Sequence, residues 1–256
     1  MKTRSYAFFV HLVGSFLCIL ILLCVMRFSW YPTPYFETQG GWLVLGFMMA
    51  VGFVSGPLLT LIVFKPKKQG LSFDLFCIFL IQLSILVYGG LIIYQQRPAF
   101  LVFAIDRFIV MPTAEIDFNK IQNPKLKDIN RTYPHLIQAR LPNDLKTQQD
   151  FTFEVLSGKE RDIEFHPEWY EIYQPDFSKL RSRTIDIQKI ADIDYKAQQS
   201  IERFIKQREG HLEEYFYLPL KGKIKDIVIV LSAKDGLPAG FISISPWLID
   251  YPAAIQ

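Results

Sequence analysis

The sequence predicts a membrane-anchored α+β protein. Three N-terminal transmembrane helices fill residues 1–96, and an extracytoplasmic α+β domain with an antiparallel sheet fills residues 97–256. Three observations carry this reading. Apolar residues are concentrated in three long runs near the amino terminus. The remainder alternates strand-like and helix-like patterns at ordinary polarity. Charge divides at the same boundary: residues 1–96 hold six Lys/Arg against two acids, while the rest holds 22 against 23. With half of its 256 residues hydrophobic, the chain is too apolar for one ordinary soluble domain.

The first run, Ser5 to Met26, follows Lys2 and Arg4 and is interrupted only by His11. It outlasts a signal-peptide core and no small-x-small cleavage site follows it, so it reads as an anchor. Gly41 to Phe64 and Leu71 to Tyr94 are the second and third runs. Each is long enough to cross a hydrocarbon core of about 30 Å at about 1.5 Å per helical residue. Basic residues in short loops stay cytoplasmic. Lys2, Arg4 and Lys65-Pro-Lys-Lys68 therefore place the amino terminus inside and the chain after Arg97 outside, against the minor dissent of Arg27. Trp30, Tyr31, Tyr35, Trp42 and Tyr94 form the expected outer aromatic belt.

Within these helices, Gly52 and Gly56 have the spacing that lets another helix backbone come close. Packing among the three helices and docking of a partner helix both use such a face. Pro57 is expected to kink the second helix. His11, with no acid in the apolar runs beside it, reads as a polar contact rather than a proton relay. Asp74 suits the start of the third helix.

Arg97-Pro98 ends the third run, and Phe100 to Val110 is β-branched and aromatic apart from Asp106 and Arg107. Between its flanking prolines this predicts one founding strand buried on both faces. A charged pair argues against a fourth membrane helix, since each charge at helix centre costs about 2.5–3.5 kcal/mol. One of the two is expected to face the core in a charge-assisted bond, although neighbours on a strand point to opposite faces. Glu115 to Asp117 and Lys120 to Asn130 lack pattern, and Tyr133 to Leu141 is a candidate strand. Asn143-Asp144 caps a helix over Leu145–Leu156 that Ser157-Gly158 stops. His166 to Pro175 is an aromatic, proline-bounded surface loop whose one histidine has no second at ligand spacing. Asp192 to Glu209 is a helix, its start capped by Asp192 or Asp194, with an apolar stripe of Ile193, Ala197, Ile201, Phe204 and Ile205, ended by Gly210. Tyr215–Leu220, Ile227–Ser232 and Phe241–Ser245 are strands, the last two joined through Asp235-Gly236 turn chemistry.

The same residues exclude several functions. The near-neutral second part lacks the clustered basic surface of a nucleic-acid binder. All three cysteines, Cys18, Cys24 and Cys77, lie in apolar runs, so the soluble domain has no disulfide and no cysteine-ligated metal. There is no Gly-x-x-x-x-Gly-Lys loop, no Gly-x-Ser-x-Gly elbow and no His-Glu-x-x-His. No cofactor, metal or catalytic residue is expected. The residues alone reach a membrane-anchored extracytoplasmic binding domain.

A resemblance extends this. Three helices leading into Arg97-Pro-Ala-Phe-Leu-Val-Phe-Ala-Ile-Asp-Arg-Phe108 resemble the type IV pilin accessory protein family, of the kind labelled TfpX/TfpZ. Tyr217-Leu-Pro-Leu-Lys-Gly222, Ile229-Val-Leu-Ser-Ala-Lys-Asp-Gly-Leu-Pro-Ala-Gly240 and Ser245-Pro-Trp247 are similar to its carboxy-terminal signatures. The resemblance covers essentially the whole chain, least distinctly from Asn119 to Asp192. It implies a non-enzymatic protein of the bacterial inner membrane, with a periplasmic domain, that helps a type IV major pilin reach or function in the pilus. The chain lacks the Gly-Phe-Thr-Leu-Ile-Glu processing site of pilins themselves. Candidate partner-binding or family-signature residues are Asp106, Arg107, Phe108, Asp235, Gly236 and Trp247, with Gly52 and Gly56 in the membrane half. A membrane-anchored ligand-binding sensor and an unrecognised periplasmic enzyme are the competing readings.

Overall fold

The computed structural model describes residues 3–66, 68–127 and 134–249, and the chain divides into two compact units, Met1–Arg97 and Pro98–Gln256. In the first unit, three helices are long and apolar enough to cross a membrane: Arg4–Trp30, Gly41–Val63 and Leu71–Gln95. The first consists of α1 (Arg4–Val25) and a π turn, Met26–Trp30. A single turn, α2 (Tyr35–Thr38), precedes the second, which is split into α3 (Gly41–Ala50), a π segment Val51–Ser55 and α4 (Gly56–Val63). The irregularity therefore lies ahead of Pro57. That proline sits in the first turn of α4, directly after the π segment. The third is α5 (Leu71–Gln95), whose first-turn Asp74 pairs with Lys68.

In the second unit the described residues form a seven-stranded sheet in the order β4-β3-β1-β2-β5-β6-β7. The founding segment is a hairpin, not one strand. β1 (Pro98–Ala104) and β2 (Arg107–Pro112) pair antiparallel from Pro98↔Pro112 to Ala104↔Arg107. The chain reverses at Ile105, which takes φ 58° while the Asp106 N–H donates to the Ala104 carbonyl at 2.6 Å. A sequence run cannot reveal this reversal, because both strands are buried and their junction has neither glycine nor proline.

The sheet is mixed, which corrects the antiparallel expectation. β3 (His135–Ala139) runs parallel to β1, and β5 (Tyr215–Lys221) runs parallel to β2. Parallel neighbours need long crossovers, and the polar stretches after Pro112 supply them. Tyr133, the expected start of β3, lies outside the described residues, as do residues 128–130 of the patternless stretch. A single turn, α6 (Pro124–Lys127), precedes them. β4 (Tyr170–Ile172) adds an edge strand inside the segment read as a surface loop, and its Tyr170 is buried in the core. β6 (Ile227–Ser232) and β7 (Pro238–Ile242) complete a meander with β5, β7 starting three residues before the expected Phe241.

Helix α7 (Leu145–Leu156) forms as read, with Asp144 capping the Thr147 N–H at 2.9 Å. Two seven-residue helices follow, α8 (Phe177–Arg183) and α9 (Ile187–Ile193), and then α10 (Tyr195–Arg208). The expected helix from Asp192 is thus two helices broken at Asp194, which ends α9 in extended geometry and caps α10 through the Lys196 N–H at 2.8 Å. Ile193 leaves the stripe and stands exposed, and Glu209 in left-handed geometry, rather than Gly210, closes α10.

Among the described residues, two apolar clusters help to hold the unit together. Phe100, Val102, Ala104, Ile109 and Met111 pack with Ile137, Phe151 and Ile163. Tyr217, Val228, Val230 and Ile242 pack with Ile190, Ala197, Ile201 and Phe204. Val102, Val228 and Val230 are fully enclosed, and each such side chain contributes about 1.5–3 kcal/mol.

Candidate partner-binding site

Asp106, Arg107 and Trp247 come together at the hairpin turn. Asp106 is 2% exposed and accepts from Arg107 Nε at 2.7 Å and Nη2 at 3.2 Å. Being neighbours does not separate them, because Asp106 belongs to the turn and not to a strand. The Arg107 guanidinium lies 5.8 Å from the centre of the Trp247 ring, and the Trp247 indole N–H donates to Asp226 at 2.7 Å. Asp226 also accepts the Gly222 N–H at 3.0 Å, which fixes the β5–β6 loop. Phe108 points to the other side of the sheet and is fully buried against the rings of Phe103 and Tyr173. It is core, with no surface to offer a partner.

Asp235 and Gly236 form the β6–β7 turn. Asp235 accepts the Leu237 N–H at 3.0 Å, and Gly236 (φ 69°) accepts from the Tyr173 hydroxyl at 3.2 Å. A Cβ at Gly236 would collide with Pro175, so only glycine fits both the backbone angle and the space.

In the membrane unit, the Gly52/Gly56 face is filled from within. A Cβ on Gly52 would stand 2.9 Å from Ile19, and one on Gly56 would occupy the place of the Gln82 side chain. Gln82 reaches there to meet His11 Nε2, while His11 Nδ1 lies 2.6 Å from the Thr60 hydroxyl. One polar trio thus links the three spans, beside a cavity of about 240 Å³ lined by His11, Cys18, Gly52, Gln82 and Leu86. Sequence reasoning paired His11 with nothing. Thr60 and Gln82, the polar residues in the other two runs, were the available signal.

A further concavity of the second unit was not legible. Beyond the carboxyl ends of β1 and β3, α7 and α8 flank a groove of about 860 Å³. Gln148, Phe151, Thr152, Val155 and Leu156 line it from one face of α7, and Phe177, Lys179 and Arg183 line it from α8. Ile105 stands on its floor in the strained turn. A β-branched residue at positive φ costs about 1–3 kcal/mol and persists only where the surroundings dictate it. Leu156 is 68% exposed, Ile105 50% and Phe177 41%, so the groove carries exposed apolar surface. Its polar groups are held in place. Gln138 donates to Glu171 at 3.2 Å and accepts the Gln174 N–H at 3.2 Å, and Gln148 donates to the Pro142 carbonyl at 2.7 Å. At the rim, the backbone N–H of Lys179 holds the Asp176 carboxyl below its ordinary range.

Glu164, also missed, is buried at 5% exposure, and burial pushes its carboxyl upward against the pull of Lys221 and Arg107. Among the described residues no three His, Cys, Asp or Glu side chains gather as a metal site. The arrangement suits binding: a preformed groove with apolar rims, and a turn locked by an ion pair.

Comparison with known proteins adds the remaining observation. Over 216 residues the chain is 26% identical to the fimbrial assembly protein of serogroup E1 from Dichelobacter nodosus, covering 82% of this chain and 83% of that one. The serogroup I protein of the same organism is 27% identical over the same length and coverage. The protein of serogroups C1 and C2 is 31% identical over 109 residues, 42% of this chain and 83% of its own length. No family model matches the chain, and no solved structure does.

Proposed function

We propose, since the chain belongs to the family of fimbrial assembly proteins, that it is an inner-membrane accessory factor that binds its cognate type IV pilin during fimbrial biogenesis, without catalysis. The observation that carries this is the extent of the likeness. A match of 216 residues exceeds either unit, so it draws on the membrane helices and the α+β unit together. The three apolar helices support a membrane anchor, and the basic residues of the short loops favour the periplasmic side for the second unit. The α7–α8 groove takes the pilin, its exposed Ile105, Leu156 and Phe177 providing anchors and its fixed amides the orientation. The role is chaperone-like: the factor holds a subunit waiting in the membrane. A pilin engaged both there and at the groove gains avidity, by about 10²–10⁴ over either contact alone.

The test is co-purification of cognate pilin with the full chain and with Leu156→Glu. An exposed position away from the core moves stability by about 0.5 kcal/mol or less, so the variant accumulates normally. Pilin capture and surface piliation are expected to fall together. Wild-type protein that captures no pilin refutes the binding role, and undiminished capture by Leu156→Glu removes the groove from it.

A further inference from the structure

The α7–α8 groove has two unlike walls. Its α7 side is Gln148, Phe151, Thr152, Val155 and Leu156, all uncharged. The α8 side carries Lys179 and Arg183, four residues apart and so on one face of that helix. Arg140, the residue after β3, adds a third cation to the lining. Its guanidinium lies 3.8 Å from Glu171, with 64% and 47% of the two side chains exposed, a pairing that water and salt keep weak.

Two acids line the groove as well. Asp176 is drawn into the fold, where it caps α8 by accepting the N–H groups of Ser178 and Lys179 at 3.1 and 3.2 Å. Asp162 opens the 3₁₀ turn Ile163–Phe165. Three cations thus stand against two carboxylates, one of which is already engaged by backbone donors. Leaving out Arg97, the chain from Pro98 onward holds 21 Lys/Arg and 23 Asp/Glu. The groove is therefore positive on a unit that is negative as a whole, and a concave site of one sign draws in the opposite charge.

We infer that the segment bound in the groove is amphipathic and acidic. Its apolar side chains lie against Ile105, Val155 and Leu156, and one or two Asp or Glu carboxylates meet Lys179, Arg183 and Arg140. This rests on the reading that the groove takes pilin, and it names the chemistry of the pilin surface that enters. Burial of the apolar side chains supplies the affinity. The carboxylates fix which way round the segment lies, and the same cations reject a basic segment, since like charges brought face to face weaken association.

The full chain in detergent is mixed with cognate pilin and treated with a carbodiimide, which joins a lysine amine to a carboxylate it touches. An amide between Lys179 and a pilin Asp or Glu is expected by mass spectrometry, its yield falling as salt rises. Arg140→Glu/Lys179→Glu is expected to lower pilin capture about tenfold. Arg140→Gln/Lys179→Gln falls between this variant and the wild type, a gradation that misfolding does not produce. Lys196→Glu/Arg203→Glu, the same change of charge at exposed positions of α10, leaves capture unchanged. Replacing the coupled pilin acid by lysine restores capture by the reversed protein and weakens capture by the wild type. Undiminished capture by Arg140→Glu/Lys179→Glu, with no pilin acid joined to Lys179, overturns the acidic partner alone if Leu156→Glu still lowers capture. Full capture by Leu156→Glu removes the groove and this inference with it, and wild-type protein that captures no pilin overturns the binding role itself.

Discussion

The Asp106–Arg107 pair makes an asymmetric prediction. The Asp106 side chain is 3% exposed and the Arg107 side chain 37%. In Asp106→Ala the guanidinium loses two bonds to a carboxylate but can turn to water, so the cost falls near that of a charged hydrogen bond, about 2 kcal/mol. In Arg107→Ala the carboxylate stays in its buried turn without the bidentate donor, and breaking a buried pair this way costs about 3–5 kcal/mol. For a unit of this size, each kcal/mol moves the midpoint by about 2–4 °C. Asp106→Ala is therefore expected to melt about 4–8 °C below the parent, and Arg107→Ala about 6–20 °C below it. Thermal unfolding of the full chain in detergent, followed by tryptophan fluorescence, reads both. If Asp106→Ala is the more damaging variant, the assignment of the buried charge is wrong.

Two further outcomes follow from features above. Burial raises the Glu164 carboxyl from an ordinary 4.5, so the unfolded chain ionises first and the folded state is increasingly penalised as pH climbs from there. Glu164→Gln is expected to raise the midpoint at pH 7 and to give no gain below about pH 4.5; melting curves of both proteins across that range decide it. Alkaline phosphatase fused after Gln256 is expected to be active and fused at Lys68 inactive, and the reverse pattern overturns the orientation.

What was legible in the sequence was what depends on local pattern. The three spans, α7 with its Asp144 cap and the β5–β6–β7 meander all announce themselves by composition or period. What stayed hidden depends on contacts far apart in the chain. The founding hairpin turns at a residue with no turn chemistry, because the buried Asp106 and its arginine dictate the geometry there. The parallel pairings of β1 with β3 and β2 with β5 are set across crossovers that leave no mark in either strand. One apolar stripe spanned the break between α9 and α10 because only Ile193 was misplaced by it. Of the candidate site, the turn residues and Trp247 were read from signatures, and the structure adds that three of them touch. The groove was invisible because its walls come from α7, α8 and the ends of β1 and β3, none of which is unusual alone.

The meeting of β2 with β5 has a consequence for how the second unit assembles. Among the described residues, two strand register pairs, Phe108↔Leu220 and Ile109↔Lys221, join the two halves of the sheet, and these partners stand 112 positions apart in the chain. Closing a loop of that length costs about 4 kcal/mol in chain entropy, more than two residue pairs return. The seam therefore cannot nucleate folding. The hairpin with β3 and α7, and the meander with α9 and α10, each form around their own apolar cluster and then zip together. Two foldons with distinct opening energies are the expected outcome in the native protein. Native-state amide exchange should resolve two tiers of protection split at the seam, and one uniform tier would mean a single cooperative core. A sheet built this way has a compliant line through its middle, beside the turn where Asp106 is locked.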